Sequence, residues 1–155
     1  MDITPLAQAV QSAKAGDAFD AGLDAPQWHA LLPYLSRQSL RAGEALMRQG
    51  DSVRCACWLE QGNLQIFVSG GAPGATRIGV LRPGALVGEA ALLADVPRAA
   101  NVEAMTPAVV WCLSATQLDR LCADHPALGL RLLRATAAVM ARRVHAHLHG
   151  GAPLV

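Results

Sequence analysis

Val87–Ala104 reads VGEAALLADVPRAANVEA, and the order of residue types in this stretch decides how the rest of the chain is read. Only 16% of the residues are charged, yet a glutamate directly follows Gly88 and an arginine directly follows Pro97, among small alanines. Gly88 lets backbone approach a ligand closely. The AALL that follows Glu89 can form one helical turn whose free N–H groups, Ala90 and Ala91 among them, point at an oxygen anion. Arg98 adds a planar, permanently charged fork able to make two charge-assisted hydrogen bonds to a phosphate, each contributing about 1.5–3 kcal/mol. A carboxylate repels a phosphate, so Glu89 fits as the acceptor for a sugar hydroxyl instead. Pro97 stiffens the loop, and the small Ala99 and Ala100 leave their backbone N–H groups reachable. The stretch therefore predicts a pocket with a phosphate at one end and a sugar at the other.

On either side of it, short apolar runs recur between turn signals such as LRAGE, RQGD, EQGN, SGGAPG and RPG, with Leu64–Val68, Thr76–Leu81 and Val109–Leu113 the clearest strands. Many short strands at regular spacing predict a sandwich or barrel. Before them, residues 1–24 read as a loose helix and a Gly/Asp-punctuated connection, and a second helix, PQWHALLPYL, starts at Pro26. After Ser114 the strands stop. SATQ has the spacing of a capping box for a short helix carrying Leu118 and Leu121. Asp124 is then placed to cap a long helix with Pro126 in its first turn and Gly150 at its end. The domain division expected is 1–24 for the N-terminal helix and connection, 25–150 for a ligand-binding domain that includes the long helix, and 151–155 for a tail.

A chain of 155 residues, 52% hydrophobic with mean hydropathy +0.27, can bury a full core as one domain. Thirteen Lys+Arg against twelve Asp+Glu leave a formal charge of +1, which supplies no general attraction for nucleic acid or anionic membrane. The N-terminus lacks the basic and apolar regions of a leader, and no apolar run is long enough for a membrane span, so the expected location is cytoplasmic. In that reducing setting disulfides are rare. Cys55, Cys57, Cys112 and Cys122 are expected to be thiols, with Cys55 and Cys57 as buried small hydrophobes alternating with Leu59 rather than metal ligands.

The stretch from Gly88 to Ala100 resembles the phosphate-binding cassette of the cyclic nucleotide-binding domain family, which includes the catabolite activator proteins and the regulatory subunits of cyclic-AMP-dependent protein kinase. HALLPYLSRQSLRAGEALMRQGDS, from His29, resembles that family's opening strands, and WLEQGNLQIFV, from Trp58, its central hairpin. The likeness runs from about Pro26 to His149. It implies a mainly β fold with flanking helices: an antiparallel, jelly-roll-like β-roll with N-terminal helices, a short cassette helix and two C-terminal helices. It also implies that Glu89 binds the ribose 2′-hydroxyl, that Arg98 binds the cyclic phosphate, and that Gly88, Ala90 and Ala99 offer backbone contacts. Ala90 stands where the family has a larger aliphatic residue, Val87 where an aromatic is common, and Asn101 where threonine is frequent. A hydroxyl at the Ala99 position favours guanine in the family, so its absence points to cyclic AMP, with cyclic GMP the other candidate ligand. The base would rest against Ile78, Val80, Leu86 and Val87, and Arg131 or Arg134 on the last helix would cap it.

At about 100° per residue, Leu130, Leu133, Ala137, Met140, Val144 and Leu148 form one stripe of that helix, and Leu128, Leu132, Ala135, Val139 and Ala146 another, nearly opposite. Two apolar faces predict cover from both sides, and the first has the steps of three and four that suit a second copy, so a homodimer through this helix is expected. Arg131, Arg134, Arg142, His145 and His149 share one flank, read as a solvated edge without a metal, and Arg142 and Arg143 are expected to face solvent. No nucleophile elbow, metalloprotease motif or P-loop appears, so a binding protein is expected and not an enzyme, with no cofactor beyond its ligand. Catabolite activator-type relatives carry a DNA-reading segment after the long helix, for which this sequence has no counterpart, so no DNA binding by these residues is expected. The function expected is a cyclic nucleotide sensor whose last helices repack towards an effector protein. The alternative is a dimeric interaction module that has kept the fold but binds no nucleotide, with Glu89 and Arg98 paired to each other.

Overall fold

The computed structural model describes residues 1–13, 18–69 and 77–150. Thr76, the SGGAPG turn beyond Ser69, and the tail 151–155 lie outside them. Helix α1 (Thr4–Ser12) and helix α2 (Ala25–Leu31) come first, the latter continued by a 3-10 turn over Leu32–Tyr34. Asp24 starts α2 with a reciprocal cap: its carboxylate accepts from Gln27 N and the Gln27 side chain accepts from Asp24 N, both at 2.9 Å. Eight strands follow: β1 (Ser36–Leu40), β2 (Ala45–Met47), β3 (Cys55–Gln61), β4 (Leu64–Phe67), β5 (Arg77–Leu81), β6 (Leu86–Val87), β7 (Asn101–Ala104) and β8 (Ala108–Ser114). Helix α3 (Glu89–Leu93) interrupts them between β6 and β7, and helices α4 (Ala115–Asp124) and α5 (Pro126–Gly150) close the chain.

The strands form two antiparallel four-stranded sheets, in the orders β1-β8-β3-β6 and β2-β7-β4-β5. With the flanking helices this is the β-roll that the sequence predicts. Strand periodicity divides its interior. Cys57, Leu59 and Val110 face Leu64, Ile66 and Val102 of the other sheet inside the roll. Ala56, Trp58, Trp111 and Leu113 turn the other way and pack under α1, α2, α4 and α5. β3 and β8 are thus buried on both faces, which is why CACWLEQ reads as a continuous apolar run rather than an alternating one.

Several local expectations are corrected. Ser114 accepts a hydrogen bond from Gln117 N, but the Gln117 side chain goes to Arg120, so only half of the capping box forms. Asp124 ends α4 instead of capping α5, and its carboxylate accepts from the Tyr34 hydroxyl at 2.6 Å. Hydrogen bonding to the carboxylate and burial raise the Tyr34 hydroxyl above its ordinary pKa. Cys57 and Cys112 are not thiols. They oppose each other across β3 and β8 and are joined as a disulfide, while Cys55 and Cys122 are free. The pairing joins residues 55 apart in sequence, which strand periodicity cannot foresee.

The two stripes of α5 have different fates. Leu128, Leu132, Ala135 and Val139 are buried on the domain, whereas Ala146 is exposed because the helix has left the roll by then. Of the other stripe, Leu130, Val144 and Leu148 stand in the open. Among the described residues no helix is long and apolar enough to cross a membrane.

Candidate functional site

The pairing of β6 on β3, with Val87 opposite Cys57, brings Gly88 alongside the start of β3. Gly88 has φ +81°, a left-handed conformation that side chains resist. A Cβ there would lie 2.5 Å from Arg98 Nη1, 2.7 Å from Met47 Cε and 3.0 Å from the Cys55 carbonyl. Glycine is therefore required both by its dihedral and by the arginine packed on it. α3 begins at the next residue, and Arg54 Nε donates to Ala91 O in its middle.

The loop carrying Arg98 is held by the turn at Gly50 and Asp51. Arg98 N donates to Asp51 O at 2.8 Å, and Gly50 N donates to Arg98 O at 2.9 Å. The Arg98 side chain then turns inward and is only 7% exposed. Its Nη1 donates to Gly88 O at 3.1 Å, and its Nη2 donates to Cys55 O and lies 3.3 Å from Cys55 Sγ. Among the described residues no carboxylate is within ion-pair distance of it. A guanidinium carries five N–H donors, so Nε and part of Nη1 remain for something else.

A cavity of about 240 Å³ lies beside it. Val87, Gly88, Ala90 and Ala91 form one wall, Pro97, Arg98, Ala99 and Ala100 the other, and Met47, Val96 and Val102 close it. This is below the roughly 300–1,000 Å³ of pockets that enclose whole small-molecule ligands, so it is sized for the charged end of one. A larger hollow of about 480 Å³ lies elsewhere, between α1, the 18–24 connection and Arg142; its charged residues Asp20 and Arg142 are exposed.

Glu89 does not line the cavity and does not pair with Arg98. It is 1% exposed, and its Oε2 accepts from Arg143 Nη1 at 2.7 Å; Arg143 Nη2 donates to Leu86 O. Arg143, expected in solvent, is therefore only partly exposed and packed against the cassette, while its neighbour Arg142 faces outward and donates to Ala18 O at 2.7 Å. Sequence reading missed Arg143, although one signal was available: it lies four residues after the buried Val139, on the same helix face.

Of the residues expected around a base, Val87 alone is in the cavity wall. Leu86 points to the helical core because its neighbour Val87 points into the roll. Val80 pairs with Gln65 and is 40% exposed on the outside, and Ile78 packs on the edge of the roll interior without lining the cavity. Arg131 and Arg134 are exposed, Arg131 donating to Gly22 O at 3.3 Å on the N-terminal side. At the end of α5, the rings of His145 and His149 stack with centroids 4.1 Å apart.

Comparison with known proteins follows the same lines. The family model described as the cyclic nucleotide-binding domain matches residues 37–125. A cAMP-dependent protein kinase regulatory subunit from Blastocladiella emersonii is 28% identical over 126 residues, 81% of this chain and 31% of that protein. The chain thus spans about a third of the length of this relative. Among solved structures, a cyclic nucleotide-binding domain from Methylobacillus flagellatus superposes with a TM-score of 0.80 at 21% identity, over 96% of this chain and 82% of that one; at this identity the likeness is one of fold. The catabolite activator protein of Thermus thermophilus gives a TM-score of 0.72 at 25% identity over 83% of this chain and 59% of that one. Because the family match extends over more than half of the residues, the chain belongs to the cyclic nucleotide-binding domain family.

Proposed function

We propose that this domain binds a cyclic nucleotide, cyclic AMP in particular, and acts as a sensor without catalysing a reaction. The observation that carries the reading is the Arg98 guanidinium, buried with carbonyl partners and no carboxylate. An ionised group withdrawn from water without a counter-charge costs several kcal/mol, and an incoming anion in the adjacent cavity offsets that cost. A ring phosphodiester on Nε and Nη1 of Arg98 leaves the sugar directed along α3 towards Glu89.

The ribose can then reach Glu89 only if the contact with Arg143 opens or is shared. Ligand binding in the cassette thereby acts on α5, and the two packings of that helix are separated by the differential affinity of the ligand for them. The uncovered stripe of Leu130, Val144 and Leu148 suits a second copy of the chain in a homodimer, or an effector protein. A second reading has one observation in its favour. Glu89 and Arg98 each have internal partners already, as in a module that keeps the fold and binds nothing.

Titration calorimetry with cyclic AMP, cyclic GMP and linear AMP separates the two. Saturable binding of cyclic AMP, weakened by about 2–5 kcal/mol in Arg98→Ala, supports the sensor. Absence of heat with all three nucleotides refutes it and leaves the interaction module.

A further inference from the structure

Behind Arg98, three cysteines occupy two alternate rungs of β3 and β8. Cys55 provides the carbonyl and the thiol that meet Arg98 Nη2, and Cys57, two residues on, is bonded to Cys112. Cys57 is at the same time the register partner of Val87, the residue before Gly88. One rung therefore carries a disulfide on one side and the root of the cassette on the other. Cys57 is buried, whereas Cys112 is only partly so.

We propose that Cys57 and Cys112 are a redox modification site, a thiol/disulfide pair that sets how tightly Arg98 grips an anion. The inference rests on the reading of Arg98 as the anion-binding group. A dithiol reductant supplies the chemistry. One of its thiolates attacks the Cys112 sulfur, the bond between Cys112 and Cys57 breaks, and Cys57 leaves as a thiolate that takes a proton. The second thiol of the reductant then closes on the first, releasing Cys112 as a thiol. Two electrons and two protons pass to the pair, and the reductant becomes a disulfide.

After reduction the two sulfurs must separate to non-bonded contact, which widens the rung shared with Val87. Val87 carries the shift to the next residue, Gly88. The hypothetical Cβ contacts at Gly88 show Arg98, Met47 and the Cys55 carbonyl already packed against its backbone. Close-packed interiors transmit such shifts rather than damping them. The Cys55 and Gly88 carbonyls that aim Arg98 are displaced, and the oxidised form is the better-organised anion binder.

The test uses the full chain with cyclic AMP as probe, in oxidised and dithiothreitol-reduced protein, reading Kd by calorimetry and the Arg98 Nε–H resonance by NMR. The expected result is at least about fivefold tighter binding when oxidised, the lower end of common coupling between sites. Cys112→Ser should bind like the reduced protein and ignore the reductant. By reciprocity, cyclic AMP should make the pair harder to reduce by the same factor, about 30 mV for a tenfold coupling. Equal affinities with an unmoved Arg98 resonance, or thiol counting that finds Cys57 and Cys112 unbonded in oxidised protein, overturn the proposal. If no nucleotide binds in either state while the Arg98 resonance still moves on reduction, the nucleotide reading fails and the switch on Arg98 stands.

Discussion

Replacing Arg98 by methionine separates what the residue does for ligand binding from what it does for the fold. In the ligand-free protein the substitution leaves the Gly88 and Cys55 carbonyls without their donor. Each unsatisfied buried group costs about 1–3 kcal/mol. The same change removes a guanidinium that is 7% exposed and has no carboxylate beside it. Relief of that burial returns several kcal/mol. The two effects oppose each other at similar size, so the ligand-free variant should unfold within about 2 kcal/mol of the parent. Ligand changes the comparison. At a cyclic AMP concentration one hundred times its Kd, the parent gains about 2.7 kcal/mol. For a chain of this length that raises Tm by about 5–11 °C, whereas the variant, its binding weakened by about 2–5 kcal/mol, gains less than about 1 kcal/mol. Thermal and urea unfolding with and without cyclic AMP read both terms. A variant that loses more than about 4 kcal/mol without ligand would show that Arg98 is a structural strut, and one stabilised by cyclic AMP as much as the parent would place the anion elsewhere.

Arg143→Ala leaves the carboxylate of Glu89 buried and unpaired, so it should destabilise by about 3–5 kcal/mol, whereas the double change Glu89→Gln with Arg143→Met should recover most of the loss; urea unfolding measures both. Gly88→Ala must adopt φ +81° and push against Arg98, and is expected to cost about 1–3 kcal/mol and weaken cyclic AMP binding in calorimetry. Burial, with Asp119 adding to it, holds the Cys122 thiol above its ordinary pKa. Less thiolate at a given pH means slower iodoacetamide alkylation at pH 8 in the folded chain than in urea, as mass spectrometry would follow.

The roll and the cassette were legible because their signals are local: turn residues at short spacing, and an arginine nine positions after a glutamate beside a left-handed glycine. Faces were harder to assign. β6 is two residues long, too short for alternation to phase it, so Leu86 and Val87 looked alike although they point to different cores. On α5, Arg142 and Arg143 read as one basic helix end. About 100° of helical rotation sends the first to Ala18 and the second to Glu89. The Cys57–Cys112 bond and the tie between Arg98 and Asp51 both join segments far apart in sequence, whose partners emerge only from the strand order.

β3 lies in the middle of its sheet, and its successive side chains belong by turns to the roll and to the helical layer. A strand buried on both sides is a party wall between two rooms: it cannot be shifted for one tenant without disturbing the other. Whatever is seated against Cys55 and Gly88 therefore shares one backbone with Trp58 and the helices above it, a route beside the contact of Glu89 with Arg143. Substitutions that loosen Trp58 under Phe19 should mute that message while leaving the anion's own contacts untouched.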